Sequence, residues 1–385
     1  MRNKTLRSTA VLLFSALLLC AGCGQTDTDG TASTPTTERE TVTNAVDLLR
    51  EVPDLPYIQS VTVPYKQVYS PVLIGDTLYM TVSKSDRTET DTNRLVAYDL
   101  NTGEETLLFT STQALANMQG LQTDGEWLVW VDLELYASAC NIYMMHLESG
   151  EITCVNHFSS EAPSYTAPTL MDGVIYWIEE EEVVGEEGAW FITGAVYAYD
   201  CATKEKATIA ELNNIYTNNL DLAAKDGKVV WFERIGENGA YYIYDVATGK
   251  TDTIPSKQRD AMNVQYVDGY IFASETDDYM ERTQKHMVCI DIRTREYTDL
   301  KYDFMRFYVT DNYILAATGL VMWFYAREGN TLTCLDEIAC SNASATNVGE
   351  NDVAFIVEHN AGHSRQPFTG LDNEITLHIY RLADR

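Results

Sequence analysis

Asp268-Gly269-Tyr270-Ile271-Phe272-Ala273 reads as a tight turn that opens a strand, and the chain repeats this signature along most of its length. The other instances begin at Asp76, Asp124, Asp172, Asp226, Asp311 and Asn351, so the spacings along the chain are 48, 48, 54, 42, 43 and 40 residues. Aspartate and glycine both tolerate the positive φ that a two-residue hairpin turn demands, and the apolar run after them supplies the strand. A period of about 40–50 residues made of strands and turns is the mark of a β-propeller blade. The expected fold is therefore all-β, with seven four-stranded blades; the alternative is a six-bladed ring plus a partial repeat, since the Asn351 signature is degenerate.

A second element recurs inside the repeats. Tyr98-Asp99-Leu100-Asn101-Thr102-Gly103, Tyr199-Asp200-Cys201-Ala202-Thr203-Lys204 and Tyr244-Asp245-Val246-Ala247-Thr248-Gly249 are close copies, and His146–Gly150 and Ile290–Arg295 are looser ones. Each lies between two strand-like runs. The glycine takes the left-handed position of a bulged hairpin while Asp and Thr satisfy turn amides. Each unit then has strand A before the Asp-Gly turn, strand B after it, and strands C and D joined by this hairpin. These aspartates are expected to serve turn chemistry.

The stretch Tyr98–Glu105 resembles the strand-turn-strand consensus of TolB-type propeller repeats, and is similar to the shorter quinoprotein repeat. The quinoprotein hallmark, a tryptophan shortly after the glycine, is replaced here by Thr106-Leu107-Leu108 and Thr251-Asp252-Thr253. No quinone cofactor is implied, and the resemblance, which runs over residues 57 to 385, marks blades rather than an activity.

The N-terminus reads as an export signal. Arg2, Lys4 and Arg7 precede an apolar stretch from Ala10 to Leu19, which is too short for a membrane span. Cys20-Ala21-Gly22-Cys23-Gly24 then resembles the lipobox of bacterial lipoproteins, which implies cleavage after residue 22 and a lipid on Cys23. Residues 1–22 form the expected signal peptide. Residues 23–56, rich in Thr, Ser, Asp and Glu, form an expected disordered tether with a short helix at Ala45–Arg50. The propeller occupies 57–385. The location that follows is the cell envelope, outside the cytoplasm, with a lipid anchor in the membrane.

The 57 acidic residues outnumber 27 Lys and Arg, for a net charge of −30. That field opposes nucleic acid and anionic lipid surfaces. Cys140, Cys154, Cys201, Cys289, Cys334 and Cys340 show no CxxC spacing; several lie in apolar strands and read as packed thiols, and only Cys334 and Cys340 are close enough in sequence for a local bridge.

Ring closure is legible too. The last repeat offers strands near Ala345–Gly349, Val353–Glu358 and Glu374–Tyr380, with no room for a fourth before Arg385. The alternating segment Tyr57–Val63 is expected to supply the missing outer strand and seal two open edges.

In this topology the D–A and B–C connections share one face. The long B–C connections are expected at Lys84–Asp91, Asp132–Ala139, Glu179–Gly194, Arg234–Gly239, Glu275–Lys285 and Glu358–Asn373, with the Glu179–Glu187 run as a solvated loop. Counting back five and seven residues from each turn residue gives polar columns on strand A. From them come the candidate ligand-binding residues at the channel mouth: Tyr69, Asn117, Gln119, Tyr165, Asn219, Asp221, Asn263 and Arg306. Such groups can stack on and hydrogen-bond a polar ligand, a glycan or a peptide. The chain carries no nucleophile elbow, HExxH, P-loop or dinucleotide motif, so no cofactor or metal site is expected, and the sequence names no catalytic residue. The favoured reading is a binding or scaffold propeller at the envelope. The alternative is an envelope enzyme acting on glycans through carboxylates at the mouth.

Overall fold

The computed structural model describes residues 57–84, 91–134, 140–158, 167–184, 190–213, 222–235, 238–276, 285–300, 306–318, 321–339, 343–349, 353–360 and 374–381. Its strands assemble into seven four-stranded antiparallel sheets. The inner strands are β2 (Val68–Ile74), β6 (Ala116–Thr123), β10 (Thr169–Met171), β14 (Leu222–Lys225), β18 (Asp260–Val267), β22 (Arg306–Val309) and β26 (Ala343–Gly349). Each touches the next in that order, and β26 touches β2, so the ring is closed. Cys23 and the segments assigned to the signal peptide and tether lie outside the described residues.

Blade 7 closes as the sequence suggests. Strand β1 (Tyr57–Val63) pairs antiparallel with β28 (Glu374–Arg381), which continues through β27 (Val353–Asn360) to β26. Val63, Val357, Ile375, Leu377 and Ile379 of this composite blade pack with Leu78, Met80 and Val82 of blade 1 in one buried cluster. Arg381 fastens the join, its Nη2 reaching the Gly75 carbonyl at 3.2 Å and Asp76 at 3.6 Å.

Local chemistry sets the turns. Asp172-Gly173, Asp226-Gly227 and Asp268-Gly269 have positive φ at both residues, the geometry that matches strand twist in a two-residue hairpin. The turn aspartates also bind across blades: Asp124 Oδ2 accepts the Gly173 N–H, and Asp226 Oδ2 accepts the Asp268 N–H, both at 2.9 Å. In the C–D hairpins Asp99, Asp200, Asp245 and Asp291 each accept backbone N–H groups from residues two or three ahead. Those donors hold the Asp99 carboxyl below its usual range; at Asp245 the Lys228 ammonium does most of the lowering, to about 2. Asp124 and Asp226 thus bond from blade to blade, and Asp99, Asp200, Asp245 and Asp291 within their own turns.

Two expectations about the chain need correcting. Glu179–Glu182 is not loop: β11 (Val174–Val184) and β12 (Trp190–Asp200) run on as an 11-residue pair, with Glu180 opposite Gly194 and Glu182 opposite Ile192. Similarly, β15 (Lys228–Ile235) and β16 (Asn238–Asp245) leave only residues 236–237 between them. Gly239 is required in that pair, because a Cβ there would overlap the Phe232 ring and sit 2.9 Å from the Arg259 carbonyl oxygen.

Of the cysteines, Cys140, Cys201 and Cys289 are buried free thiols whose pKa burial pushes up to about 12. Cys334 is buried among Phe307, Ile314 and Tyr325, and Cys340 lies outside the described residues.

Candidate functional site at the channel mouth

The inner strands begin at the end of the ring that carries the B–C connections. There the first blade reaches over the second: Thr92, between β3 (Thr77–Val82) and β4 (Arg94–Asp99), forms a parallel bridge with Asn117. Its carbonyl accepts the Met118 N–H at 2.8 Å and its hydroxyl donates to Asn117 Oδ1 at 3.2 Å. Tyr69 pairs with Thr81, whose hydroxyl donates to the Tyr69 carbonyl at 3.0 Å. Gln119, opposite Val131 of β7 (Trp127–Glu134), and Asn263 are both partly exposed. Arg306 opens β22 opposite Ala317. Tyr165, Asn219 and Asp221 lie outside the described residues.

Each of β2, β6 and β18 is interrupted at the same level by a bulge, whose extra residue takes a left-handed conformation: Ser70 (φ 44°), Gly120 (φ 66°) and Asn263 (φ 52°). The bulges of the first two blades are joined, the Gly120 N–H donating to Ser70 Oγ at 3.0 Å. This geometry changes which residues correspond. Cross-strand pairing makes Tyr69, Gln119 and Met262 equivalent, as the last residues before each bulge, and aligns Asn117 with Asp260. Counting back from the turn aspartate misaligns them because aspartate comes second in the Gly75-Asp76 turn, first in Asp268-Gly269, and opens a four-residue turn at Asp124–Trp127. Strict alternation also fails across a bulge, since one extra residue flips the following side chains. Asn117, Tyr69 and Gln119 remain together on two adjacent inner strands, whereas Asn263 sits on the bulge itself.

The structure also brings out a row of carboxylates that period counting missed. Asp132, Glu179, Glu233 and Glu275 occupy the same position on strand B of blades 2 to 5, one strand outward from the mouth; Met118 pairs with Asp132 and Ala261 with Glu275. In three blades a tryptophan stands two residues earlier, as Trp130, Trp177 and Trp231, each stacked on the tyrosine directly across on strand C (Tyr143, Tyr197 and Tyr242) with centroids 5.6 Å apart. The signal in the sequence is Trp-x-Asp/Glu, legible once strand B is aligned from the turn.

Each of these carboxylates accepts at least one internal donor. Trp177 Nε1 donates to Glu179 at 2.7 Å and Trp231 Nε1 to Glu233 at 2.8 Å. Glu179 also takes Asn156 at 2.9 Å and the Lys206 ammonium at 2.7 Å. Asp132 is one methylene shorter; it takes the Ser111 hydroxyl instead, and Trp130 Nε1 is left without a hydrogen-bond partner among the described residues. Glu275, fully buried, accepts Tyr241 at 2.7 Å, Ser256 at 2.9 Å and the Tyr297 hydroxyl. Burial pushes Asp132 up to about 6 and raises Glu275, with the hydroxyl donors acting in the opposite direction. Ser111 and Ser256 belong to the D–A connections, so each clasps one blade to strand B of the next. Among the described residues no three His, Cys, Asp or Glu side chains gather closely enough to hold a metal ion.

No family model and no curated protein matches the chain by sequence. Solved structures do share the fold. An oligogalacturonate lyase from Vibrio parahaemolyticus superimposes over 84% of this chain and 97% of its own, at 10% identity and TM-score 0.55. An oligogalacturonate lyase in complex with manganese covers 80% of this chain and 86% of its own, at 11% identity and TM-score 0.54. TolB from Acinetobacter baumannii matches 87% of this chain and 68% of its own at 12% identity, with a TM-score of 0.41. At these identities the likeness concerns architecture alone. With seven closed four-stranded blades, an architecture shared with the two lyases, the chain has the β-propeller fold.

Proposed function

We propose that this chain is a lipid-anchored, extracytoplasmic β-propeller that binds a polar ligand at its channel mouth, with Cys23 as the anchor and a glycan, peptide or envelope protein as the partner. The observation that carries the reading is the set of bulges at Ser70, Gly120 and Asn263. Two of the three impose a left-handed backbone on residues with a Cβ, which costs free energy, and such strain gathers where a strand is re-aimed toward a ligand. Beside the bulges stand Tyr69, Asn117 and Gln119, all partly exposed and able to stack or hydrogen-bond. Tyr165, Asn219, Asp221 and Arg306 are assigned to the same mouth from their sequence positions alone.

Binding is favoured over glycan cleavage by the state of the carboxylates at this level. Asp132, Glu233 and Glu275 are buried and committed to internal donors. A glycosidase pair would need one carboxyl facing the sugar and a second across it.

The test is a titration of the full chain against glycan and short peptide collections, followed by Tyr69→Ala and Asn117→Ala on any ligand found. Each substitution should weaken binding by about 1–3 kcal/mol with little change in melting temperature. Undiminished binding by both variants would remove the mouth from consideration.

A further inference from the structure

We propose a second binding site, distant from the channel, in the groove between the outer strands of blades 4 and 5, and we assign to it a carboxylate that carries an apolar body. The groove is a cavity of about 380 Å³ between β17 (Lys250–Pro255) and the C–D hairpin of blade 5, made by β20 (His286–Asp291) and β21 (Tyr297–Asp299). That size suits a small organic ligand. Ile254 and Ile290, both buried, form its floor and Pro255 one wall. Lys257 and Arg295 stand on the rim, exposed.

The two cations differ in what they already hold. Arg295 is committed to Asp252 and to the Thr253 carbonyl at 3.3 Å. Lys257 Nζ lies 3.7 Å from the centroid of Tyr297 and has no carboxylate in ion-pair contact among the described residues. That is notable in a chain where acidic residues outnumber basic ones 57 to 27. Tyr297 is fixed from behind, its hydroxyl bound to Glu275, which gives the ammonium a rigid ring face to rest on. An apolar floor beneath a pre-positioned ammonium fits an amphiphilic anion. The apolar body would cover Ile254, Ile290 and Pro255 while the carboxylate met Lys257 in a charge-assisted hydrogen bond. A free small acid and the C-terminal end of a peptide share this chemistry.

Calorimetric titration of the full chain tests the site. Phenylpropionate stands for the free acid, acetyl-phenylalanine for a peptide terminus, and phenylpropionamide for the same shape without charge. At least one of the two acids should bind with a Kd of about 1 mM or tighter, and the amide at least about tenfold more weakly. Which acid binds identifies the source. Lys257→Gln should reduce acid binding about tenfold. Tyr69→Ala should leave it unchanged, which separates this site from the channel mouth. Binding of neither acid, equal binding of the amide, or unaltered affinity in Lys257→Gln with its melting temperature intact would overturn the proposal.

Discussion

Ser111 Oγ lies 2.7 and 2.8 Å from the two carboxylate oxygens of Asp132, across the join between the first and second blades. The Gln113 N–H donates to the same hydroxyl at 3.0 Å, which leaves its hydrogen directed at the carboxylate. Ser256, Gln258 and Glu275 repeat the arrangement between blades 4 and 5. These clasps lie directly behind the inner strands that form the mouth, so they govern how rigidly neighbouring blades hold the ligand-binding residues.

The Asp132 clasp predicts a pH dependence. Burial raises the folded-state pKa from 3.8 to about 6, so the folded protein binds the proton more tightly than the unfolded chain. The stabilisation by the protonated form is complete below about pH 4 and is lost as pH rises to about 6. Two pH units correspond to roughly 3 kcal/mol. Asp132→Asn removes the titration while keeping the shape. The melting temperature of the variant relative to the parent should therefore climb between pH 4 and 7; a constant difference across that range would contradict the burial argument.

Ring closure depends on seven residues far from the rest of their blade in sequence. Deleting Tyr57–Val63 leaves the edge of β28 unpaired and uncovers Ile375, Leu377 and Ile379, so the melting temperature should fall sharply or the protein aggregate. A deletion variant that melts with the parent would show that the ring does not need this strand.

Gly239→Ala should be more damaging than an ordinary glycine replacement. The added methyl meets the Phe232 ring and the Arg259 carbonyl in a buried position, so a loss of about 1–3 kcal/mol is expected in denaturant unfolding. Gly249→Ala supplies the contrast. Its φ of 65° incurs only the conformational cost of about 1 kcal/mol, with the Tyr244 hydroxyl 3.9 Å away as its nearest contact.

The proposed anchor rests on Cys23. Cys23→Ser should leave the protein unacylated and shift it from the membrane to the soluble extracytoplasmic fraction, since stable residence needs the lipid. Acylation that persists in this variant, measured by mass spectrometry, would sink the assignment.

Much of the fold could be read from the chain because Asp-Gly turns and the Asp-x-x-Thr-Gly hairpins are local chemistry. Their geometry follows from a few adjacent residues, and their spacing counts the blades. The strand completing blade 7 was legible for a different reason: an edge must be paired, and only Tyr57–Val63 alternates suitably. The mouth was less legible. Its bulges arise at Ser70 and Asn263 as well as at a glycine, and nothing nearby in sequence announces that a serine will take a left-handed backbone. One extra residue then shifts every alignment counted from the turn. The Trp-x-Asp/Glu row was hidden because acidic residues in strands look like solvated loop, and only burial beneath the blade above reveals them as clasps.

The central claim is that the channel mouth is where this protein meets its ligand. A crystal structure soaked with glycan and peptide fragments tests it most directly. The account predicts fragment density beside Tyr69, Asn117 and Gln119, at the level of the Ser70 and Gly120 bulges. Density confined to the opposite face, over the Asp-Gly turns and the hairpins at Asp99, Asp200 and Asp245, would contradict it.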